Sequence, residues 1–164
     1  MKHIFASSNI IFVNVSVELV DDYLIMVNDI EHVDRFIGGN HREFTKEDEI
    51  KWVNKKIEAS SLVYSMIEKA SGAFIGNIEL MDASCLTEKE LGIAITYKMQ
   101  DKGYGTEAIK AILDYGFNTL NLDKIILRTR TFNKRAIHVY KKCGFKEYNR
   151  DDTHIFMEIN KEKR

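Results

Sequence analysis

The residues with the clearest potential for chemistry lie at positions 100–106, where two glycines separate an apolar run from a helical pattern. Residues 91–97 are rich in aliphatic and β-branched side chains, which is typical of a buried strand. Residues 106–120 place apolar side chains at helical spacing. A strand that turns through Gly103 and Gly105 into a helix leaves backbone N–H groups free at the positive end of the helix dipole. Such groups bind phosphate, and glycines that can adopt positive φ let a ligand approach the backbone.

Two other interpretations of this stretch remain open from spacing alone. A lone G-x-G turn can be purely structural. Residues 103–108 also fit the dinucleotide pattern G-x-G-x-x-G/A, and Asp123 follows where an acidic ribose ligand would stand. A dinucleotide-binding fold needs that motif after an early strand with several strand–helix repeats behind it, whereas about one such unit remains here. The order of elements therefore disfavours the dinucleotide interpretation.

A second group of candidate residues follows the next predicted strand. Asn133 and Tyr140 are seven positions apart, so at about 100° per residue they fall on one face of a helix, with Ala136 between them. A small residue flanked by an amide and a phenol leaves room for a ligand beside the helix. The structural alternative is a helix cap at Asn133 and a core side chain at Tyr140.

Composition limits the class of protein. The 164 residues are 45% hydrophobic and 30% charged with a net charge of −1, so neither nucleic acid nor a membrane is expected as a partner. No apolar run approaches the roughly 20 residues of a membrane-spanning helix, and no signal peptide is recognisable. The two cysteines cannot build a disulfide framework, which fits a cytoplasmic protein. The histidines show no metal-ligand spacing, so we expect no metal, and we predict one domain over residues 1–164.

The elements that must position these residues follow the order β-α-α-β-β-β-α-β-α-β-β. This order predicts an α/β (α+β) fold with a mixed, mostly antiparallel central sheet of about seven strands flanked by helices. Ser16 and Thr45 are predicted helix caps, the latter in a capping box with Asp48, and Gly144 is predicted to end the last helix. The strands are predicted at residues 9–15, 62–68, 73–81, 90–97, 124–131, 145–148 and 154–159. The helices are predicted after Ser16, at 30–36 (ended by Gly38, Gly39 and Asn40), after Thr45, at 106–120 and at 133–143.

Together the two chemical stretches resemble the signature of the GNAT N-acetyltransferase superfamily. That signature is Q/R-x-x-G-x-G/A opening a central helix, followed by N-x-x-A-x-x-x-Y-x-x-x-G-F. The match here covers about residues 71–145. Residues 103–108, 114–117 and 120–124 are especially similar to the branch with ribosomal-protein N-terminal and spermidine acetyltransferases. The matching residues are Gln100, Gly103 and Gly105 in the first motif and Asn133, Ala136, Tyr140, Gly144 and Phe145 in the second.

The resemblance implies that the ligand is acetyl-CoA, used as a cosubstrate for acetyl transfer to an amine. The edge formed by Ile93, Ala94 and Ile95 would pair with the pantetheine amides, and Asn133 would meet the pantetheine beside Ala136 and Tyr140. One of three basic residues, Lys134, Arg135 or Lys142, would lie near the ribose 3′-phosphate. The pyrophosphate would be held by backbone N–H groups of Gln100, Asp101, Lys102, Gly103, Tyr104, Gly105 and Thr106.

The resemblance also implies roles in catalysis. Tyr140 would act as the general acid for the departing thiolate, because a thiol has a pKa of about 8.5. An amine with a pKa near 10.4 must lose a proton before it attacks. The base does not follow from the resemblance: from their positions on the strands, Glu79 is the candidate and Glu90 the alternative, either acting directly or through water. Either glutamate could equally be an exposed charge at the end of a strand.

The acceptor and the partners follow less directly from the resemblance. It suggests a protein N-terminus, a polyamine or another small amine as the acceptor, and a homodimer as an assembly. A non-catalytic CoA-binding or interaction module on the same fold is the alternative function. One departure from the branch concerns the last connection, residues 149–153, which is shorter than usual in a segment that borders the acceptor site in that branch.

Overall fold

The fold is built on one mixed sheet. The computed structural model describes residues 1–38 and 42–162, and within them eight strands form a single sheet in the order β1-β2-β3-β4-β5-β6-β8-β7. All neighbouring strands are antiparallel except β5 and β6, which are parallel. The strands are β1 (His3–Ala6), β2 (Ile10–Asn14), β3 (Leu62–Glu68), β4 (Phe74–Asp82), β5 (Glu88–Ile95), β6 (Lys124–Arg130), β7 (Lys146–Arg150) and β8 (His154–Asn160).

Helices cover both faces of this sheet. The apolar stripe of α4, with Ile109 and Ile112 fully buried, packs together with α5 on one face. On the other face α1 and α3 enclose a second cluster that includes Tyr23 and Val53. The helices are α1 (Val20–Val27), α2 (Arg35–Ile37), α3 (Lys46–Glu58), α4 (Tyr104–Asp114) and α5 (Lys134–Lys142). Short 3₁₀ turns occupy Val17–Leu19 and Tyr97–Met99, and π-helical turns occupy Ile30–Asp34 and Tyr115–Thr119.

A chain of buried hydrogen bonds fixes α1 against the middle of the sheet. The backbone N–H of Ser16 donates to the Tyr23 hydroxyl at 3.2 Å, and this hydroxyl lies 2.6 Å from Ser65 Oγ. Ser65 Oγ in turn donates to Asn77 Oδ1 at 2.7 Å. Because the Tyr23 hydroxyl bonds to both Ser16 and Ser65, burial of this tyrosine leaves no unsatisfied hydroxyl in the core.

The predicted fold class is confirmed, with eight strands in place of about seven. The missed strand is β1, which has only four residues and so shows too little alternation to be recognised. The predicted helix at 106–120 begins at Tyr104 and becomes a π-helical turn after Asp114. The piece predicted at 30–36 is the π-helical turn followed by α2, and of its predicted end Gly39 and Asn40 lie outside the described residues.

The predicted helix caps agree with the structure more closely than the predicted ends of the strands. The capping box of Thr45 and Asp48 is present with both hydrogen bonds, and Ser16 accepts a hydrogen bond from the N–H of Glu18. Gly144 follows α5 with φ 103°. These signals depend on contacts between residues two or three apart, so no tertiary information is needed to recognise them.

Strands β4 and β5 approach closely at Gly76. A Cβ at this position would lie 2.0 Å from the Ala94 carbonyl oxygen and 2.9 Å from Ile95 Cα, both of them backbone atoms. We therefore expect Gly76→Ala to lower the free energy of unfolding by about 3 kcal/mol or more, measured by urea denaturation.

Gly92→Ala on the facing strand is the matched control. Its Cβ would meet the flexible end of Met81 at 3.2 Å, so the loss should be clearly smaller. Equal decreases in the free energy of unfolding for the two variants would show that the close backbone approach at Gly76 is not the reason why this position requires glycine.

Candidate functional site

The candidate site lies where β5 and β6 separate. The two parallel strands pair only from Glu88–Lys124 to Glu90–Ile126. Beyond that point β5 stays paired with β4 as far as Ile95, and β6 stays paired with β8 as far as Arg130. The result is a gap inside the sheet, bordered by one free strand edge on each side.

The backbone groups that face the gap can be assigned from the alternation of the strand. The N–H of Thr96 donates to Ile75 O at 2.9 Å, so the backbone groups of Thr96 and Ala94 face β4. Those of Ile93 and Ile95 then face the gap. Of the predicted edge of Ile93, Ala94 and Ile95, the structure therefore leaves only Ile93 and Ile95 with polar backbone groups directed into the gap.

The glycine loop ends at the N-terminus of α4. Gly103 is the residue before the helix and has φ 85°, whereas Gly105 lies within the first turn and has no positive φ. The first intrahelical bond runs from the N–H of Glu107 to Gly103 O, so the N–H groups of Tyr104, Gly105 and Thr106 have no carbonyl partner within the helix. These N–H groups lie where the sequence predicts an anion site.

The structure narrows the predicted set of N–H donors. The N–H of Gln100 already donates to Tyr97 O at 3.1 Å, so it is not available to a phosphate. Lys102 is exposed and makes no hydrogen bond or ion pair to the described residues.

Two side-chain contacts hold the loop in place. The Tyr104 hydroxyl donates to Glu68 at the end of β3. Hydrogen bonds from Ser71 and Tyr104 lower the pKa of Glu68, so it remains an ionised acceptor at neutral pH. Asp101 has φ 60° and pairs with Arg135 of α5 at 3.1 Å. Arg135 is therefore already paired with Asp101. The other two basic residues predicted near the 3′-phosphate, Lys134 and Lys142, are exposed and make no ion pair with the described part of the chain.

Helix α5 carries the residues of the second motif. Asn133 caps the helix, because its Oδ1 accepts a hydrogen bond from the N–H of Ala136 at 3.3 Å. Tyr140 is 9% exposed and its ring meets Phe145 edge-on, with ring centroids 6.0 Å apart. The structural interpretation of both residues is therefore correct. These structural roles do not involve the Asn133 amide nitrogen or the Tyr140 hydroxyl. Neither group makes a hydrogen bond to the described residues.

Burial controls the protonation of Tyr140. Removal from water raises the pKa of Tyr140 to about 12, with a smaller contribution from the nearby Cys143 thiol. The phenol is thus protonated throughout the neutral range, and its O–H can donate a hydrogen bond. Burial also raises the pKa of Cys143, which makes a nucleophilic thiolate there unfavourable.

Each of the two candidate bases pairs with a cation. Lys56 Nζ of α3 lies 3.0 Å from Glu79 Oε2, and the two side chains are 24% and 27% exposed. Glu79 pairs with Gly92 of β5. Because Gly92 has no side chain, the Glu79 carboxylate lies over the β5 backbone. Glu90 sits at the last paired position of β5, with Arg128 Nε 3.6 Å from its carboxylate. Of the two acids, Glu79 is the one beside the unpaired part of β5.

A segment that sequence analysis did not assign to the site crosses the end of the gap. We name residues 30–37, which comprise the π-helical turn and α2, the bridging segment. On the β5 side the His32 ring stacks on Tyr97 with centroids 3.7 Å apart. On the β6 side Phe36 packs against Phe132 at 5.7 Å. No short-range pattern marks these residues, because their contacts join positions far apart in the chain.

Comparison with known proteins decides the family. The family model described as an acetyltransferase (GNAT) domain matches residues 9–146. This chain belongs to the GNAT family. The predicted resemblance is thereby confirmed, and it extends further toward the N-terminus than the two motifs.

Relatives of this GNAT chain include enzymes named for polyamine acetylation. The spermidine N(1)-acetyltransferase of Vibrio cholerae is 36% identical over 95 residues, which cover 57% of this chain and 55% of that protein. The chain spans about half the length of the curated relatives that it matches first.

Solved structures share the fold of this GNAT chain. A GNAT acetyltransferase from Bacillus anthracis superposes with a TM-score of 0.86 at 20% identity, covering 94% of this chain and 96% of that one. The Vibrio cholerae spermidine N-acetyltransferase in complex with CoA and spermine gives a TM-score of 0.77 at 23% identity, covering 93% and 96%. Among residues 1–38 and 42–162, none of the helices has the length and apolar character needed to cross a membrane.

The two glycines of the loop allow a direct test of its geometry. Gly103→Ala should destabilise the protein by about 1–2 kcal/mol, because the left-handed conformation is unfavourable for a residue with a Cβ. Gly105→Ala should cause no loss and could add about 1 kcal/mol, because this residue is helical and its Cβ would only touch Ile95 Cδ1 at 3.5 Å. Urea denaturation of both variants measures the difference, and equal effects would contradict the assigned conformations.

Proposed function

We propose that this protein is an acetyl-CoA-dependent N-acetyltransferase that moves an acetyl group directly from acetyl-CoA to a small amine. The observation that carries the proposal is the gap between β5 and β6, which ends at a phosphate-binding helix N-terminus. An extended ligand with amides along its length and a diphosphate at one end matches both parts. Membership of the GNAT family and relatives named spermidine acetyltransferases support the same conclusion.

The chain offers a partner for each part of acetyl-CoA. The N–H groups of residues 104–106 hold the pyrophosphate, with Lys102 as a mobile counter-charge. The N–H and carbonyl of Ile93 and the N–H of Ile95 pair with the pantetheine amides, as an added strand would, while the Ile95 carbonyl stays bonded to Gln100. The Asn133 amide nitrogen donates to a pantetheine carbonyl, and Lys134 or Lys142 attracts the 3′-phosphate.

The chemistry requires a neutral amine and a stabilised leaving group. Acetyl-CoA supplies an activated acetyl group on a thioester. The amine lone pair forms the new C–N bond while the C–S bond breaks, and the sulfur leaves with its electron pair. An amine that arrives as an ammonium ion loses one proton before the attack and a second after the C–N bond forms, and the leaving thiolate takes up one proton in forming CoA. The protein must therefore provide a proton acceptor beside the nitrogen and a hydrogen-bond donor beside the sulfur.

Tyr140 is the proposed donor to the sulfur. Its pKa of about 12 is above the usual thiol value of about 8.5, so complete proton transfer to an ordinary thiolate would be unfavourable. Burial also raises the pKa of a thiolate that forms beside it, which reduces the mismatch. Tyr140 therefore acts by a strong hydrogen bond to the sulfur as negative charge develops there, and protonation is completed as CoA leaves.

Glu79 is the proposed acceptor of the amine proton, directly or through one water molecule. Its position beside the unpaired part of β5 is closer to the ligand edge than that of Glu90. The contact with Lys56 fixes its carboxylate. An incoming ammonium group would also be attracted to the Glu79 carboxylate before it loses its proton.

Two features near the gap bear on the acceptor class. The β7–β8 connection is only residues 151–153, and Asp151 is occupied with hydrogen bonds from the N–H groups of Thr153 and His154. The acidic groups Glu79 and Glu90 next to the gap both have basic partners. We therefore propose a small amine as the acceptor and treat spermidine as one candidate among several.

A binding and turnover experiment tests the proposal. CoA and acetyl-CoA should each raise the melting temperature, whereas NADH should not, because only ligands of the native state stabilise it. Thiol release from acetyl-CoA should then depend on an added amine, with spermidine, an aminoglycoside and a peptide N-terminus as the first panel. Binding of CoA without turnover of any amine would favour a non-catalytic CoA-binding module. Stabilisation by NADH in place of CoA would refute the cofactor assignment.

Removal of the Tyr140 hydroxyl should affect the chemical step. In Tyr140→Phe, kcat should fall by about 100-fold or more while the dissociation constant of acetyl-CoA changes little, because the ring and its packing remain. The shape of the pH profile between pH 7 and 10 should be the same in both proteins, since a phenol with a pKa of about 12 stays protonated over that range.

Tyr148→Phe is the control, because Tyr148 is an exposed tyrosine on β7. Undiminished kcat in Tyr140→Phe would remove the residue from the mechanism.

The two acids can be separated by substitution. Glu79→Gln should lower kcat/KM for the amine by about 100-fold, since the amide accepts no proton but can still bond to Lys56. Glu90→Gln should have a much smaller effect. Steady-state kinetics with a fixed amine measure both, and the reverse ranking would assign the base to Glu90. Small effects in both variants would indicate that neither acid takes the proton.

A further inference from the structure

The Gln100 side chain joins three parts of the site at once. Its Nε2 donates to Ile95 O at 2.9 Å and to His32 O at 3.1 Å. Its Oε1 accepts a hydrogen bond from Arg135 Nη2 at 2.8 Å. Both ends of one amide are therefore satisfied by groups that lie on separate elements.

Each of these three partners lies on a different element that borders the proposed site. Ile95 ends the β5 edge of the gap, and Arg135 belongs to the first turn of α5, the helix that holds Tyr140. His32 belongs to the bridging segment, which reaches Phe132 after β6. The segment thus spans the gap at the end where the strands are furthest from their paired residues.

The ring contacts of the bridging segment are less specific in geometry, although Val33 of the segment is also buried in the second core cluster. The His32–Tyr97 and Phe36–Phe132 ring contacts involve side chains that are half exposed, with Tyr97 at 54% and Phe132 at 47%. Arg35 lies 4.9 Å from the Phe36 ring and 5.6 Å from the Phe132 ring, which is a further surface contact. Ring contacts of this kind allow sliding, whereas a hydrogen bond from an amide to the His32 carbonyl fixes both distance and direction.

We propose that Gln100 is a positioning residue for the amine acceptor: its amide fixes the bridging segment over the end of the gap. An acceptor that reaches a thioester in the gap from the side of α1 and α3 passes this segment. The position of the segment therefore sets how well the amine binds. The inference rests on the proposed function for its kinetic consequences, while the tether itself is a property of the free protein.

The role of the Gln100 side chain is separable from cofactor binding. The pyrophosphate site consists of backbone N–H groups of residues 104–106, and the N–H of Gln100 is already bonded to Tyr97 O. The loop is also held by the contacts of Tyr104 with Glu68 and of Asp101 with Arg135. Replacement of the Gln100 amide thus removes the tether and leaves the anion site in place.

Gln100→Met tests the proposal, because methionine has a similar length and lacks both the donor and the acceptor. The KM for the amine should rise by about tenfold, the effect expected for the loss of one or two hydrogen bonds. The dissociation constant of acetyl-CoA should stay within about twofold. Gln100→Glu should behave like Gln100→Met, since a carboxylate has the acceptor for Arg135 but no donor for the two carbonyls.

A readout independent of turnover is the amide hydrogen exchange of the free protein. In Gln100→Met, exchange in the bridging segment should become faster, while exchange in the middle of α4 should not change. Asn118→Ala is the matched control. It removes another side-chain amide, bonded to Asp114 at the far end of α4, and should alter neither exchange in the bridging segment nor the two kinetic constants.

Three results would overturn the proposal. An equal rise in the acetyl-CoA dissociation constant and the amine KM would show that Gln100 shapes the cofactor loop. A fall in kcat with an unchanged amine KM would place its effect on the chemical step. Unchanged hydrogen exchange in the bridging segment would show that the amide does not tether it. If the wild-type protein binds no CoA or acetylates no amine, the proposed function fails, and hydrogen exchange still decides whether the tether exists.

Discussion

The short register between β5 and β6 is the constraint on which the rest of the site depends. Each strand keeps a full set of hydrogen bonds on its outer side, to β4 and to β8, so the sheet remains intact when the two strands separate. Separation leaves polar backbone groups of Ile93 and Ile95 inside a sheet, where unpaired groups are costly. Gln100 satisfies one of them, the carbonyl of Ile95. The rest are available to an extended ligand with amides of its own.

The site divides its tasks between backbone and side chains. In the proposed function, backbone N–H groups at the start of α4 bind the anion, and they are positioned by one left-handed glycine and by contacts of Tyr104 and Asp101. Side chains provide the groups whose protonation the proposed mechanism uses. Burial keeps the Tyr140 phenol protonated, and Lys56 holds the Glu79 carboxylate.

Sequence analysis was most successful where function depends on residues close together in the chain. The G-x-G loop, the helix it opens and the cap at Asn133 all use contacts within a few residues, and each is present. It was incomplete wherever a partner comes from a distant element. Lys56 as the partner of Glu79 and the contacts of His32 with Tyr97 and Gln100 were missed. The edge strand β1 was missed for a different reason, because four residues carry too little periodicity.

The sequence by itself therefore determined the family, the mixed sheet with its central helix, and the two motifs that flank the gap. Hydrophobic period and local turn chemistry are enough for that, because both act over a single element. Only the tertiary structure decided where the parallel pair ends, which backbone groups remain free, and which segment crosses the opening. These properties arise from the register between strands and from contacts such as Gln100 with His32, 68 positions apart. Such contacts leave no pattern in a single sequence, since neither residue shows which partner it will meet.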